Sequence, residues 1–182
     1  MTLPEIRTAI VSTISAAGIG DAVQPHPGRM TAQDLKSLVI KGRACVRVGC
    51  VGVPMITHTS SGVDMITAWA AYILTLDQAA TQRDETAMLL SAAVASLVCG
   101  NVWGRSDLDT PDSVRADNLY SGQLNQRAVA LWAVSWRQAW TPEPDGSSLD
   151  DLLRVVTTFD LDAASDGEPT LVDNLSLEGG SS

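Results

Sequence analysis

The stretch RAVALWAVSWRQAW, Arg127–Trp140, decides the fold, because it alternates with a period of two and holds three of the five tryptophans. Ala130, Trp132, Val134, Trp136, Gln138 and Trp140 fall on one face, and Val129, Leu131, Ala133 and Ser135 on the other. A strand apolar on both faces is either central and covered by helices or has its second face buried by another subunit. Val63–Leu76 has the same character. Met65, Trp69, Ala71 and Ile73 line one side; Ile66, Ala68, Ala70, Tyr72, Leu74 and Leu76 line the other, which places this strand centrally as well.

Working outward, residues 3–17 predict an amphipathic helix. Thr2 with Glu5 makes a capping-box pattern and Pro4 suits the first turn. Leu3, Ile6, Ile10, Ile14 and Ala17 supply the stripe, and Gly18 and Gly20 end it. Residues 24–28, QPHPG, are extended and then turn. A short helix capped by Thr31 with Asp34 and carrying Leu35, Leu38 and Val39 is expected next. Ala44, Val46, Val48 and Cys50 alternate with Arg43, Cys45 and Arg47 as a strand, closed by Val53-Pro54, and Thr57–Gly62 reads as a polar loop. Thr81 with Asp84 opens the longest helix, 82–99, with Ala87, Leu90, Val94, Leu97 and Val98 on its stripe. Residues 104–126 are polar and read as a loop with a short strand near Leu119-Tyr120. The expected fold is α+β: a mixed, mostly antiparallel sheet with two main helices packed against it.

The chain of 182 residues is long enough for one domain with a real core. Its net charge of −9 is unevenly placed: after Trp140 there are ten acidic residues and one basic residue, Arg154, while the first 140 residues hold 11 of each sign. Residues 141–148, TPEPDGSS, have the composition of a linker. The expected division is therefore a body, 1–142, and an acidic C-terminal extension, 143–182. A neutral body with an acidic tail argues against adhesion to nucleic acid, which needs a basic footprint. No apolar run approaches the roughly 20 residues that span a bilayer, and the start lacks a basic n-region, so a soluble protein made inside the cell is expected.

A search for chemistry finds little. Cys45 and Cys50 are five apart in a strand, so they face opposite sides and read as buried free thiols with Cys99. His58 with Ser60 or Ser61 can be drawn as a dyad, but neighbours in one loop bring no orienting geometry. Asp107, Asp109 and Asp112 lack the mid-loop glycine and terminal glutamate of a calcium loop and read as a solvated cluster. No phosphate-binding glycine loop is present, and the basic residues form no stripe. No catalytic, cofactor or metal residue is assigned. An interaction module remains, with Trp140, Trp136, Trp132, Tyr120 and Arg137 as interface candidates, since Trp, Tyr and Arg are enriched at hot spots. Trp132 and Trp136 read chiefly as core, and Trp140, beside the linker, is open to either role.

The order of elements supports a family resemblance. An N-terminal helix is followed by a Pro-Gly turn, a strand ACVRVGCVGV, a long strand ITAWAAYILTLD, a helix RDETAMLLSAAVASLVCG, a polar loop and the closing strand. With the segment LWAVSWRQ, Leu131–Gln138, this resembles the tail terminator proteins of long-tailed bacteriophages, in particular the group of Mu-like prophages. The resemblance covers roughly residues 1–142. It implies a small subunit without an active site that forms a homo-oligomeric, hexameric ring at the head-proximal end of the tail. The ring would stop polymerisation of the tail tube protein, meet a neck or connector protein, and meet sheath where the tail is contractile. DNA would pass through it without specific binding. It would be assembled in the host cytoplasm and carried in the virion. Two other readings stand beside it: another head–tail connector or tail-completion protein, and a small hydrolase using the His58 loop.

Overall fold

In a computed structural model of the chain, the two double-faced strands lie side by side. β3 (Gly62–Leu76) and β5 (Val129–Trp140) pair antiparallel, with Trp69 opposite Trp136, Ile73 opposite Trp132 and Met65 opposite Trp140. β2 (Ala44–Thr59) runs antiparallel along the other side of β3. β1 (Ala22–Pro25) joins β2 in parallel, and β4 (Asp112–Asn118) joins β5 antiparallel. The sheet order is β1-β2-β3-β5-β4. Two helices complete the architecture, α1 (Leu3–Ala16) and α2 (Arg83–Val98), so the fold is α+β with a mixed, mostly antiparallel sheet, as expected. The structure describes residues 2–31, 33–34, 42–59, 62–77, 82–119 and 128–142, all within the unit Met1–Glu143.

Both helices pack on one face of the sheet, α1 over β1 and β2 and α2 over β3, β5 and β4. Ile6, Ile10 and Ile14 of α1 are fully buried, each adding about 1.5–3 kcal/mol of burial relative to exposure. The capping box forms: Thr2 N donates to Glu5 Oε2 at 3.0 Å. Gly18 and Gly20, at φ +67° and +81°, then turn the chain back toward β1. From α2, Val94 and Val98 enter the same core, where they meet Trp69, Ile73, Val134 and Trp136. Beneath the opposite face lies a smaller cluster of Cys45, Ala70, Tyr72, Leu74, Leu131 and Ala133. The two faces of β3 and β5 are thus divided as the alternation predicts. Cys45 belongs to the second cluster while Cys50 packs against the first, so the two thiols do face opposite sides.

The structure also corrects several expectations. β2 does not end at Val53-Pro54 but continues to Thr59, and Thr57–Thr59 pair with Gly62–Asp64 instead of forming a loop. Pro54 is tolerated because β1 reaches only to Val48, which leaves the outer side of β2 without a described partner strand beyond that point, and a register shift falls between Gly52 and Met55. In this projecting hairpin Met55 and Ile56 are more than half exposed. The helix cap is Gln82, one residue later than the Thr81 pattern suggests. Its buried side uses Ala87, Ser91, Val94 and Val98, with Leu90 and Leu97 only partly buried. A strand near the expected place is β4, which ends just before Leu119, while Tyr120 lies outside the described residues. The DSVRADN sequence of β4 shows no apolar alternation because most of it is exposed. Thr31 and Asp34 exchange hydrogen bonds as expected (Thr31 N to Asp34 Oδ2, 2.7 Å), but the body of that helix lies outside the described residues.

Candidate functional site

The tryptophan side of β5 is organised by a buried amide. Gln138 is fully buried, and its Oε1 accepts a hydrogen bond from Trp103 Nε1 at 2.8 Å. Its Nε2 donates to the carbonyls of Asp109 (2.7 Å) and Asn101 (3.2 Å), so one side chain fastens the segment after α2 to the sheet. Thr67 Oγ1 donates to Gln138 O and accepts from Trp69 Nε1, both at 2.8 Å. Trp140 Nε1 donates to Asp107 Oδ2 at 3.1 Å, and Arg105 pairs with the other oxygen of Asp107 at 3.0 Å. Asp107 is therefore a largely buried structural acceptor rather than part of a solvated acidic cluster.

This arrangement locates the interface candidates. Trp136 is 2% exposed and Trp140 5%, and Trp132 packs partly buried against the same core. Neither Trp136 nor Trp140 has surface to spare in the single subunit. Tyr120 lies outside the described residues. Arg137 is exposed, on the second face of the sheet. His58 is exposed near the end of the β2–β3 hairpin, and Ser60 and Ser61 lie outside the described residues.

The surface that sequence reasoning missed is a depression of about 450 Å³ on that second face. Its lining includes Val51, Ala68 and Ser135 together with three arginines, Arg29, Arg115 and Arg137. Arg115 and Arg137 project from β4, at the end of the sheet order, and from its neighbour β5, with Arg115 opposite Ser135 in register and Asp112 opposite Arg137. Arg29 comes from the segment after β1, and several contacts fix that segment. His26 N donates to Val48 O at 2.7 Å, Arg7 donates to His26 O at 3.1 Å, and Met30 N donates to Tyr72 Oη at 3.1 Å. Gly28 passes so close to β2 that a Cβ on Gly49 would lie 2.6 Å from Gly28 O, which explains glycine at that position. The buried ring of His26 also stands edge-on to Tyr72, at 5.7 Å between centroids.

Electrostatically the depression is basic. Arg115 bonds Asp117 at 3.1 Å and Ser135 Oγ at 3.3 Å, while Arg29 and Arg137 have no acidic partner among the described residues. Deeper on the same face, burial pushes the Cys45 thiol up, partly offset by the neighbouring Arg47, so it is not an activated thiolate. Among the described residues no group of three or more His, Cys, Asp or Glu could hold a metal ion, and no helix is long and apolar enough to cross a membrane. The depression thus sets arginine hydrogen-bond donors beside apolar side chains.

No family model matches the chain, and no curated protein matches it in sequence. Among solved structures, it is similar to a chain from "Virion of native gene transfer agent (GTA) particle", at 15% identity and a TM-score of 0.51. The match covers 74% of this chain and 93% of that one. At this identity the likeness is one of fold.

Proposed function

We propose that this protein is a structural virion subunit of the tail-terminator kind, which assembles as a ring on the head-proximal end of a phage tail tube. The observation that carries the reading is the fold likeness over nearly the whole length of a chain from a gene transfer agent virion. That likeness supports a structural protein of a phage-like virion, and the finer tail-terminator reading is supported by the order of elements and the Leu131–Gln138 segment. The ring stops polymerisation because it matches the symmetry of the tube end yet presents no further copy of the tube's own interface. It then offers its outer surface to a neck or connector protein. The neutral body and the acidic segment 143–182 suit a channel through which DNA must slide.

The test is the mass of the purified protein at micromolar concentration by sedimentation velocity, together with negative-stain microscopy of the protein mixed with tail tubes. Sixfold particles that decorate one end of the tubes are expected. A protein that stays monomeric and leaves tube ends bare would overturn the reading.

A further inference from the structure

Among the described residues, two surfaces of complementary character lie on opposite sides of the sheet. One is the arginine-lined depression on the second face, with Val51 and Ala68 among its apolar lining. The other is the outward side of α2 on the first face. There Met88 is 48% and Leu89 70% exposed, and the small residues Ala92 and Ala93 continue the same exposed side. A helix apolar on both its inner and outer sides is the pattern of a helix covered on both. The N-terminal turn of that helix carries Asp84 and Glu85, exposed and without a basic partner among the described residues.

The two surfaces complement each other in charge and in character: carboxylates beside exposed Met and Leu on one, arginines beside Val and Ala on the other. Arginine forks match carboxylates in geometry, and the apolar neighbours would lower the dielectric around such pairs. We infer that the α2 surface of one copy docks into the depression of the next, with Met88 and Leu89 against Val51 and Ala68 and with Asp84 and Glu85 facing Arg29, Arg115 and Arg137. Because donor and acceptor surfaces differ, the contact is heterologous: each copy leaves one of each unused, and repetition closes a ring when the rotation permits. This rests on the ring reading above and names the subunit contact within it.

The test uses the full chain. Leu89→Glu changes an exposed residue, so its circular dichroism and melting temperature should match those of the wild type, while the concentration for half-assembly rises by about 30-fold or more. Arg115→Glu with Arg137→Glu should weaken assembly similarly, and adding Asp84→Arg with Glu85→Arg should restore it. Met88→Glu provides a second apolar variant should Leu89→Glu fold poorly. Rings that persist unchanged in the Leu89, Met88 and arginine variants would overturn this contact while leaving the ring reading standing. A wild-type protein that is monomeric, or that stops at a symmetric dimer, would overturn the contact and the ring together.

Discussion

Replacing Gln138 by leucine removes the acceptor of Trp103 Nε1 and the donor to two carbonyls in a fully buried place. Leaving a buried donor unpaired costs about 1–3 kcal/mol, and here two carbonyls lose their partner as well. A loss on the order of 3 kcal/mol is therefore expected in denaturant unfolding. Trp140→Ala is expected to cost about 3–5 kcal/mol, since a nearly buried indole and its bond to Asp107 are lost together. Chemical unfolding of the variant beside an assembly assay separates the two roles open to this residue. Stability within about 1 kcal/mol of wild type, with assembly abolished, would return Trp140 to the interface. The pattern of alternating tryptophans was legible in the sequence. The role of Gln138 was not, because a glutamine on an apolar face declares its partners only when the 101–109 segment is folded over it.

At the scale of elements, Asp21 ties the start of β1 to the start of β2: its Oδ2 accepts from the backbone N–H groups of Arg43 and Ala44. Those bonds, the larger from Arg43, hold its carboxyl below the ordinary value of 3.8. A carboxyl with a depressed folded-state pKa lends stability above its unfolded value and loses it as pH falls through the folded one. Asp21→Asn is therefore expected to melt below wild type at pH 7, with the gap closing as the pH is taken below 3.8. A gap that stayed constant would mean that the carboxylate charge contributes nothing. Which elements were legible follows from burial. β3 and β5 declared themselves because both of their faces are apolar, and α1 because Ile6, Ile10 and Ile14 share one stripe. β4 stayed hidden because an edge strand exposed on both sides carries no period-two signal. β2 ran past its expected end because an outer edge without a partner strand among the described residues makes no demand on the missing N–H of Pro54. The arginine depression was invisible for a different reason: Arg29, Arg115 and Arg137 come from separate elements, and only the sheet order brings them together.

For the whole molecule, the division of charge frames the next test. If residues 143–182 are an extension of an independent body, deleting them should leave a protein that unfolds cooperatively with a melting temperature close to wild type, and that is nearly neutral instead of −9. A product that binds a hydrophobic dye and lacks a cooperative transition would show that the extension completes the fold.

The projecting half of β2 adds a condition on how such a protein can exist before assembly. Between Arg47 and Asp64 the sequence holds no charged residue, so this hairpin lacks the lysines and inward charges with which exposed edges are usually blunted. Pro54 and the register shifts around Gly52 are what interrupt it. A subunit waiting at high concentration therefore has a second route open to it, strand-to-strand aggregation, which competes with orderly assembly. Scarce supply and prompt capture by a growing structure would keep that route closed, and soluble yield is expected to fall steeply as the isolated protein is concentrated.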